Sequence, residues 1–269
     1  MNDIKLDKIN IQSMETMKFS KRRQFLQQIA SLGTIASLSP NPLQAIALDD
    51  TTNGNGYRFL FQGDSITDGN RTRNQDWNHV MGHGYQYIVA SKLWYDFPKK
   101  DFQFFNRGIS GNRVPDLAAR WKTEAIELKP DVLSILIGVN DLSAYLKGNA
   151  HFTSEQYEQD YRALLQQTIQ QLPNVQLVIG EPFILPVANL KLRWEEYSTE
   201  MTKRQAIAKK LSEEFNAIFI PYQKAFDKAA TEAPAAYWIW DGVHPMPAGH
   251  ELMAREWMKQ VSKKLRFIR

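Results

Sequence analysis

Five short apolar runs, separated by longer segments of helical periodicity, constrain the fold of this chain most strongly. They cover residues 57–62, 102–106, 131–137, 175–180 and 217–221, and we interpret each run as a β-strand. Strands that alternate with helices in this way form a parallel sheet covered on both faces. Because right-handed crossovers leave few topologies, the alternation predicts an α/β fold, a three-layer αβα sandwich.

Two segments between the strands place their apolar residues on one helical face. The first face holds Val114, Leu117, Ala118, Trp121, Ala125 and Leu128, and the second holds Tyr157, Tyr161, Leu164, Leu165 and Leu172. Thr153 and Gln156 have the spacing of a capping box at the start of the second helix. A charged helix at about 194–215 and a terminal helix at about 248–265 complete the predicted set.

The length and composition of the chain indicate one folded domain, at residues 57–269, after a flexible lead-in at 48–56. A chain of 269 residues with 43% hydrophobic residues can bury one substantial core. It has no cysteine, which excludes disulfides and thiolate zinc sites. The formal charge is +4, but beyond residue 47 there are 27 Lys and Arg against 26 Asp and Glu. We therefore expect no nucleic-acid partner.

Residues 1–47 are predicted to be a removable export signal. Ser20-Lys21-Arg22-Arg23-Gln24-Phe25-Leu26 resembles a twin-arginine signal, and Ala45-Ile46-Ala47 offers a small-x-small cleavage site. The apolar segment 25–38 is shorter than the roughly 20 residues that span a membrane. The alternative is an amphipathic amino-terminal helix with a basic end. The export interpretation predicts a periplasmic or secreted protein.

A serine directly after the first predicted strand is the candidate nucleophile. Ser65 stands in the turn Gly63-Asp64-Ser65-Ile66-Thr67-Asp68-Gly69. Open α/β folds place their chemistry at the carboxyl ends of the strands, where this turn would lie. Since a serine hydroxyl is a weak nucleophile without a base, the interpretation requires a histidine and an orienting carboxylate elsewhere.

Asp241-Gly242-Val243-His244-Pro245, just before the terminal helix, can supply that pair. An aspartate three residues ahead of a histidine can bond one ring nitrogen while the other faces outward. Taken alone, His244 has a second interpretation as a capping or packed histidine.

Two further strand ends offer hydrogen-bond donors for an oxyanion. Gly108 follows the second strand in Asn106-Arg107-Gly108-Ile109-Ser110-Gly111, and Asn140 follows the third in Ile137-Gly138-Val139-Asn140-Asp141. The N–H groups of Gly108 and Ser65 and the amide of Asn140 are the candidate donors. Such Gly and Asn pairs are also ordinary turn formers.

Together these four blocks resemble the SGNH (GDSL-type) hydrolase family over roughly residues 57–260. The resemblance implies a flavodoxin-like sheet of order 2-1-3-4-5, no metal or other cofactor, and ester hydrolysis through an acyl-enzyme. It makes Ser65 the nucleophile, His244 the base and Asp241 its orienter, with Ser65, Gly108 and Asn140 as the oxyanion hole. The lack of a Gly-x-Ser-x-Gly elbow around Ser65 argues against an ordinary α/β-hydrolase.

Candidate substrate-binding residues are Asp64 of the first block and the tryptophans Trp238 and Trp240 before Asp241, with Trp77 offering another aromatic face. Tryptophans this close to the base can stack on a sugar ring, although core packing is the alternative interpretation. His79 and His83 have i,i+4 spacing without the Glu of a zinc-protease motif, so we expect no metal there.

These features predict an exported serine esterase that removes small acyl groups, acetyl first, from a glycan or another small-molecule ester. One alternative is a lysophospholipase or thioesterase for longer acyl chains, whose acyl groove the apolar segment Phe183-Ile184-Leu185 would line. A non-enzymatic alternative is an inactive glycan-binding protein of the same fold.

Overall fold

A computed structural model describes residues 56–74 and 76–269 of the chain. The predicted export signal, 1–47, and the lead-in up to residue 55 lie outside the described residues. Within the described part, no helix is both long enough and apolar enough to cross a membrane.

A five-stranded, all-parallel sheet organises the described residues. Its strands are β1 (Arg58–Gly63), β2 (Gln103–Asn106), β3 (Val132–Leu136), β4 (Gln176–Gly180) and β5 (Ile218–Ile220). They lie in the order β2-β1-β3-β4-β5. The predicted α/β class, parallel pairing and 2-1-3-4-5 order are confirmed.

Nine α-helices connect and cover these strands in the described part of the chain. They are α1 (Ser65–Asp68), α2 (Tyr85–Asp96), α3 (Val114–Trp121), α4 (Val139–Leu146), α5 (Ser154–Gln171), α6 (Trp194–Glu214), α7 (Tyr222–Ala229), α8 (Ala235–Trp238) and α9 (Pro247–Lys264). The bounds predicted for α6 and α9 are correct to within one residue. Sequence patterns had not singled out α2, α4 or α7.

The sheet separates two apolar layers because neighbouring strand residues point to opposite faces. On one face Phe59 and Phe61 pack with the buried sides of α2, α7 and α9. On the other, Leu60 packs with α3, α5 and α6. The central strands β3 and β4 are buried along their whole length and are mostly apolar, as expected for a sheet that is covered by helices on both faces. The predicted three-layer sandwich is confirmed.

Two details of the predicted helices differ from the structure. The α3 helix ends at Trp121 and continues as a π-helical turn, Lys122–Ile126, and Ala118, at the edge of its apolar face, is exposed. The hydroxyl of Thr153 accepts from the Gln156 N–H at 3.2 Å, but the Gln156 side chain donates to Asp160 instead. The cap of α5 is thus one-sided, because an acceptor one turn on competes for the glutamine amide.

The parallel strands bring three catalytic candidates to one edge of the sheet. Gly63 at the end of β1 is in register with Leu136 of β3, and Phe61 with Asn106 of β2. Ser65, Gly108 and Asn140 lie in the segments that directly follow these strands.

Candidate active site

The structure brings Ser65, His244 and Asp241 into one hydrogen-bonded row. Ser65 Oγ lies 2.8 Å from His244 Nε2, and His244 Nδ1 lies 2.6 Å from Asp241 Oδ2. The side chains of His244 and Asp241 are 39% and 26% exposed, so the row is open to solvent on one side. A carboxylate that accepts from Nδ1–H leaves the lone pair of Nε2 facing the serine hydroxyl, the arrangement that a general base requires.

A short closed turn holds Asp241 and His244 at this spacing. Ile239 and Pro245 form an antiparallel bridge, and the Trp240 N–H donates to the His244 carbonyl at 3.1 Å. Gly242 sits inside the turn with φ +96°, where a Cβ would also meet Leu190 at 2.8 Å. The glycine between the two catalytic candidates is therefore required by the turn itself.

The charge of Asp241 is stabilised by its own turn. Burial opposes ionisation, but the His244 and Val243 amides donate to Asp241 Oδ1 at 2.7 and 2.9 Å and the imidazole bonds Oδ2. These hydrogen bonds outweigh burial and lower the pKa of Asp241. The group thus stays an ionised acceptor near neutral pH.

Asp64 lies beneath the nucleophile rather than at the surface. Its side chain caps α1, with Oδ1 accepting from the Ile66 N–H at 3.0 Å, and it is 1% exposed. Burial raises the pKa of Asp64 to about 7. The structure therefore places this candidate substrate-binding residue where it supports the Ser65 turn.

Gly108 approaches the first catalytic turn so closely that no side chain would fit. A Cβ at this position would lie 2.3 Å from the Asp68 nitrogen. The Gly108 N–H donates to Asn106 Oδ1 at 2.9 Å, so a substrate oxyanion would have to share that donor.

Asn106 is a supporting residue to which sequence reasoning gave no role. Its buried amide donates to the carbonyls of Thr67, Asp68 and Met81 at 2.8–3.1 Å. One side chain thereby fixes both the Ser65 turn and the Gly108 peptide. A polar residue at the end of an otherwise apolar strand was the available signal.

Asn140 is held by a hydrogen-bonded series from the neighbouring loop. Its Nδ2 donates to the Asn112 carbonyl at 3.1 Å, and Arg120 Nε donates to Asn112 Oδ1 at 2.9 Å. Because an amide NH2 group has two hydrogens, one remains for a ligand. The Ser65 N–H has no acceptor among the described residues, so these two donors are free to meet an oxyanion.

Asp68 connects the loop after β1 to the loop after β2. Its Oδ2 accepts from the Ser110 N–H and hydroxyl, each at 3.1 Å, and from Arg73 at 2.8 Å. Burial opposes its ionisation, and the bonds from Arg73 and Ser110 outweigh burial and lower the pKa of Asp68. Sequence reasoning quoted Asp68 without assigning this role.

The tryptophans occupy different positions. Trp240 is 60% exposed and lies over the His244 ring, whereas Trp238 is half-buried against the core. Trp77 is 74% exposed and lines a cavity of about 180 Å³ with Phe104 and Arg107. Of the two tryptophans before Asp241, Trp240 is the one that offers a free ring beside the triad.

Two other sequence features supply no side chain to the triad, although the Leu185 N–H donates to the Gly242 carbonyl at 2.9 Å. Phe183, Ile184 and Leu185 are each at most 2% exposed in the core. Their burial leaves the longer-acyl alternative without the groove this segment had suggested. His79 and His83 lie in turns rather than on a helix, and His79 Nδ1 is 2.7 Å from Asp76.

Comparison with known proteins adds a family and several relatives. The model of the GDSL-like lipase/acylhydrolase family matches residues 61–252. An acetylxylan esterase from Geobacillus stearothermophilus is 34% identical over 212 residues, 77% of this chain and 95% of that enzyme. The crystal structure of Axe2, an acetylxylan esterase from the same organism, covers the same shares at 33% identity with a TM-score of 0.68. A crystal structure from Parabacteroides merdae, provisionally described as a GDSL-like lipase, is 42% identical, covers 77% of this chain and 96% of its own, and has a TM-score of 0.73.

Crystallised variants of Axe2 allow a comparison of spacing. Three described as catalytic mutants replace a serine, an aspartate and a histidine. That serine and histidine are 179 residues apart, as Ser65 and His244 are, and the aspartate precedes the histidine by three residues in both chains. A further Axe2 variant replaces the tryptophan directly before that aspartate, the position of Trp240 here.

Proposed function

This chain belongs to the GDSL-like lipase/acylhydrolase family and is a carboxylic ester hydrolase, and from that premise we propose that it is an exported serine esterase that removes acetyl groups from carbohydrate. The observation that carries the proposal is the row Ser65–His244–Asp241, with the exposed ring of Trp240 beside it. Among ester hydrolases, the acetylxylan esterase relative supports acetyl as the acyl group and a glycan as its carrier.

In the first half-reaction His244 Nε2 takes the proton of Ser65 as Oγ forms a bond to the acetyl carbonyl carbon. The carbonyl oxygen becomes an oxyanion, stabilised by the Ser65 N–H and the free Asn140 Nδ2 hydrogen, with Gly108 sharing its N–H. The tetrahedral intermediate then breaks its bond to the sugar oxygen. His244 donates its proton to that oxygen, so the sugar leaves with a hydroxyl and Ser65 holds the acetyl group.

In the second half-reaction water attacks the acetyl carbon of the acyl-enzyme. His244 takes one proton from the water and returns it to Ser65 Oγ when the ester bond breaks, which releases acetic acid. Asp241 stays ionised throughout, because the hydrogen bonds of its turn lower its pKa, and it stabilises the imidazolium that forms in each half.

Two features support the sugar acetate over a long-chain ester. An exposed indole can lie against the apolar face of a sugar ring, and Trp240 is so placed. In contrast, the segment 183–185 is closed into the core and offers no acyl groove. Export is supported by residues 20–26 and 45–47, whose pattern is that of a twin-arginine signal.

Acetate release tests the reaction, and chain-length preference tests the acyl group. We expect acetate release from acetylated xylan and a kcat/KM that falls from acetyl to butyryl to octanoyl esters of one leaving group. Ser65→Ala should lower kcat by at least about 10³-fold with an unchanged Tm, because it removes one half-buried hydroxyl. Rising activity with chain length and no acetate release would favour the lipolytic alternative. Amino-terminal sequencing of the exported protein should start near Leu48.

A further inference from the structure

A large cleft among the described residues contains none of the triad residues. Its volume is about 770 Å³. The lining comes from the carboxyl end of α4, from the turn before α6 and from the first turns of α6, and includes Tyr145, Leu192, Trp194, Glu195, Thr199 and Glu200. Leu192, at 85% exposure, is among the most exposed large apolar side chains of the described residues.

Helix α4 and one apolar cluster connect the lining of the cleft to the catalytic site. Asn140 is in the first turn of α4 and Tyr145 is five residues on, about 7.5 Å along the helix axis. Trp194, Leu190 and Val243 all pack against one buried cluster that includes Val139. Val139 is next to Asn140, and Val243 is next to His244. A ligand that reaches from the oxyanion donors to the cleft would therefore need only the length of a short oligosaccharide.

The lining offers aromatic rings and a free hydrogen-bond acceptor. Trp194 and Tyr145 are half-buried, which leaves part of each ring accessible. Beneath them Arg204, which is fully buried, lies 5.8 Å from the Tyr145 ring centroid and bonds Glu200. The carboxylate of Glu195 has no partner among the described residues, so it can accept from sugar hydroxyls.

The charges of the lining indicate a neutral ligand. Arg193, the cation of this cleft, is bonded through two nitrogens to Glu196, and Glu200 is paired with Lys203 and Arg204. Glu195 adds an uncompensated negative charge. A uronate would meet this carboxylate with no unpaired cation among the described lining residues to bind it, whereas the hydroxyls of an uncharged sugar would meet an acceptor.

We propose that this cleft is a subsite for neutral sugar units that flank the acetylated unit of the substrate. The proposal rests on the proposed function, because it assigns a place to the remainder of the glycan whose ester meets Ser65.

The test compares long and short substrates in the intact enzyme. Trp194→Ala and Glu195→Gln should each lower the ratio of kcat/KM for acetylated xylohexaose to that for 4-nitrophenyl acetate, Trp194→Ala by about 10-fold, the effect of losing one stacked ring. Glu213→Gln is the matched control for the charge, since it lies on the other end of α6 and is 70% exposed. Tyr95→Ala, on α2 and 85% exposed, is the control for an aromatic ring.

Calorimetry with unacetylated xylohexaose on Ser65→Ala gives a second readout that needs no turnover. Binding of xylohexaose should be lost or weakened when Trp194→Ala or Glu195→Gln is added to Ser65→Ala, and retained when either control is added. An oligogalacturonide of equal length should bind to Ser65→Ala more weakly than xylohexaose does. If the kcat/KM ratios of the Trp194 and Glu195 variants match those of the controls, the subsite proposal is wrong. Acetate release by the wild type would still support the proposed function in that case. No acetate release by the wild type would overturn both. Equal or tighter binding of the oligogalacturonide would contradict the inference that the ligand is neutral. If Trp194→Ala does not fold, Glu195→Gln still tests the subsite.

Discussion

The indole of Trp240 lies nearly parallel to the imidazole of His244, with ring centroids 6.1 Å apart and planes inclined by 26°. The same two residues are joined by the backbone bond from the Trp240 N–H to the His244 carbonyl. The turn that places the base therefore also places the exposed ring. A substrate whose ester lies at Ser65 would meet this ring as it enters.

Trp240→Ala should raise KM for a sugar acetate by about 5- to 10-fold and change kcat less, because the lost contact is made to the sugar and not to the reacting carbonyl. Steady-state kinetics with an acetylated xylo-oligosaccharide measures the split. Tyr237→Ala is the control, since that ring is 57% exposed in the same segment but packs on Trp238. A fall in kcat alone would instead make Trp240 a positioning residue for His244.

Asp241→Asn should reduce kcat less than His244→Ala, because the base survives in the first variant. An amide at Asp241 Oδ2 would present a donor to His244 Nδ1 and favour the wrong tautomer, so a large loss still follows. In the double variant the losses should not add, since both residues act on one proton transfer. Additive losses in single-turnover assays would show that the two residues have separate functions.

Asn140→Ala should lower kcat by about 10²–10³-fold, roughly 3–4 kcal/mol, with a smaller change in KM, because an oxyanion donor bonds most strongly as charge develops. Asn174→Ala, which alters an exposed asparagine in the turn before β4, is the matched control. A change confined to KM would assign Asn140 to substrate binding.

The sheet was predictable because its signal is local. Residues 131–137 and 175–180 are mostly apolar, with few polar residues among them, and a strand buried on both faces has this composition. The order of the strands was predicted from the resemblance of the four blocks to a family. The same resemblance predicted that Ser65, Gly108, Asn140, Asp241 and His244 form one site. Side chains that meet across 179 residues, as Ser65 and His244 do, leave no local periodicity to read.

What the sequence did not reveal depends on contacts between distant loops. The bond from Gly108 to the Asn106 side chain needs both the end of β2 and the adjoining α1 turn. Likewise, Phe183-Ile184-Leu185 has the composition of an acyl-groove wall or of a core segment, and only packing against α7 and the sheet distinguishes them. The position of Asp64 beneath Ser65 is likewise set by tertiary packing and not by a local sequence pattern.

Asp64 is an acid that the fold keeps in its protonated form up to about neutral pH. Burial raises its pKa from 3.8 to about 7, and the Ile66 N–H bond to Oδ1 opposes that rise without cancelling it. Between these two values the folded protein holds a proton that the unfolded chain has lost. The contribution of Asp64 to stability therefore falls as pH rises through that window, and levels off above the folded pKa.

Asp64→Asn should remove this dependence, because an asparagine can still accept from the Ile66 N–H but carries no charge at any pH. The Tm of the variant minus that of the wild type should therefore increase from pH 5 to pH 8, as measured by calorimetry in buffers of equal ionic strength. Asp101→Asn, which alters an exposed carboxylate in the loop before β2, is the control and should leave the difference flat. If the Asp64→Asn difference is equally flat, Asp64 is already ionised in the folded protein at pH 5, and burial does not hold its proton.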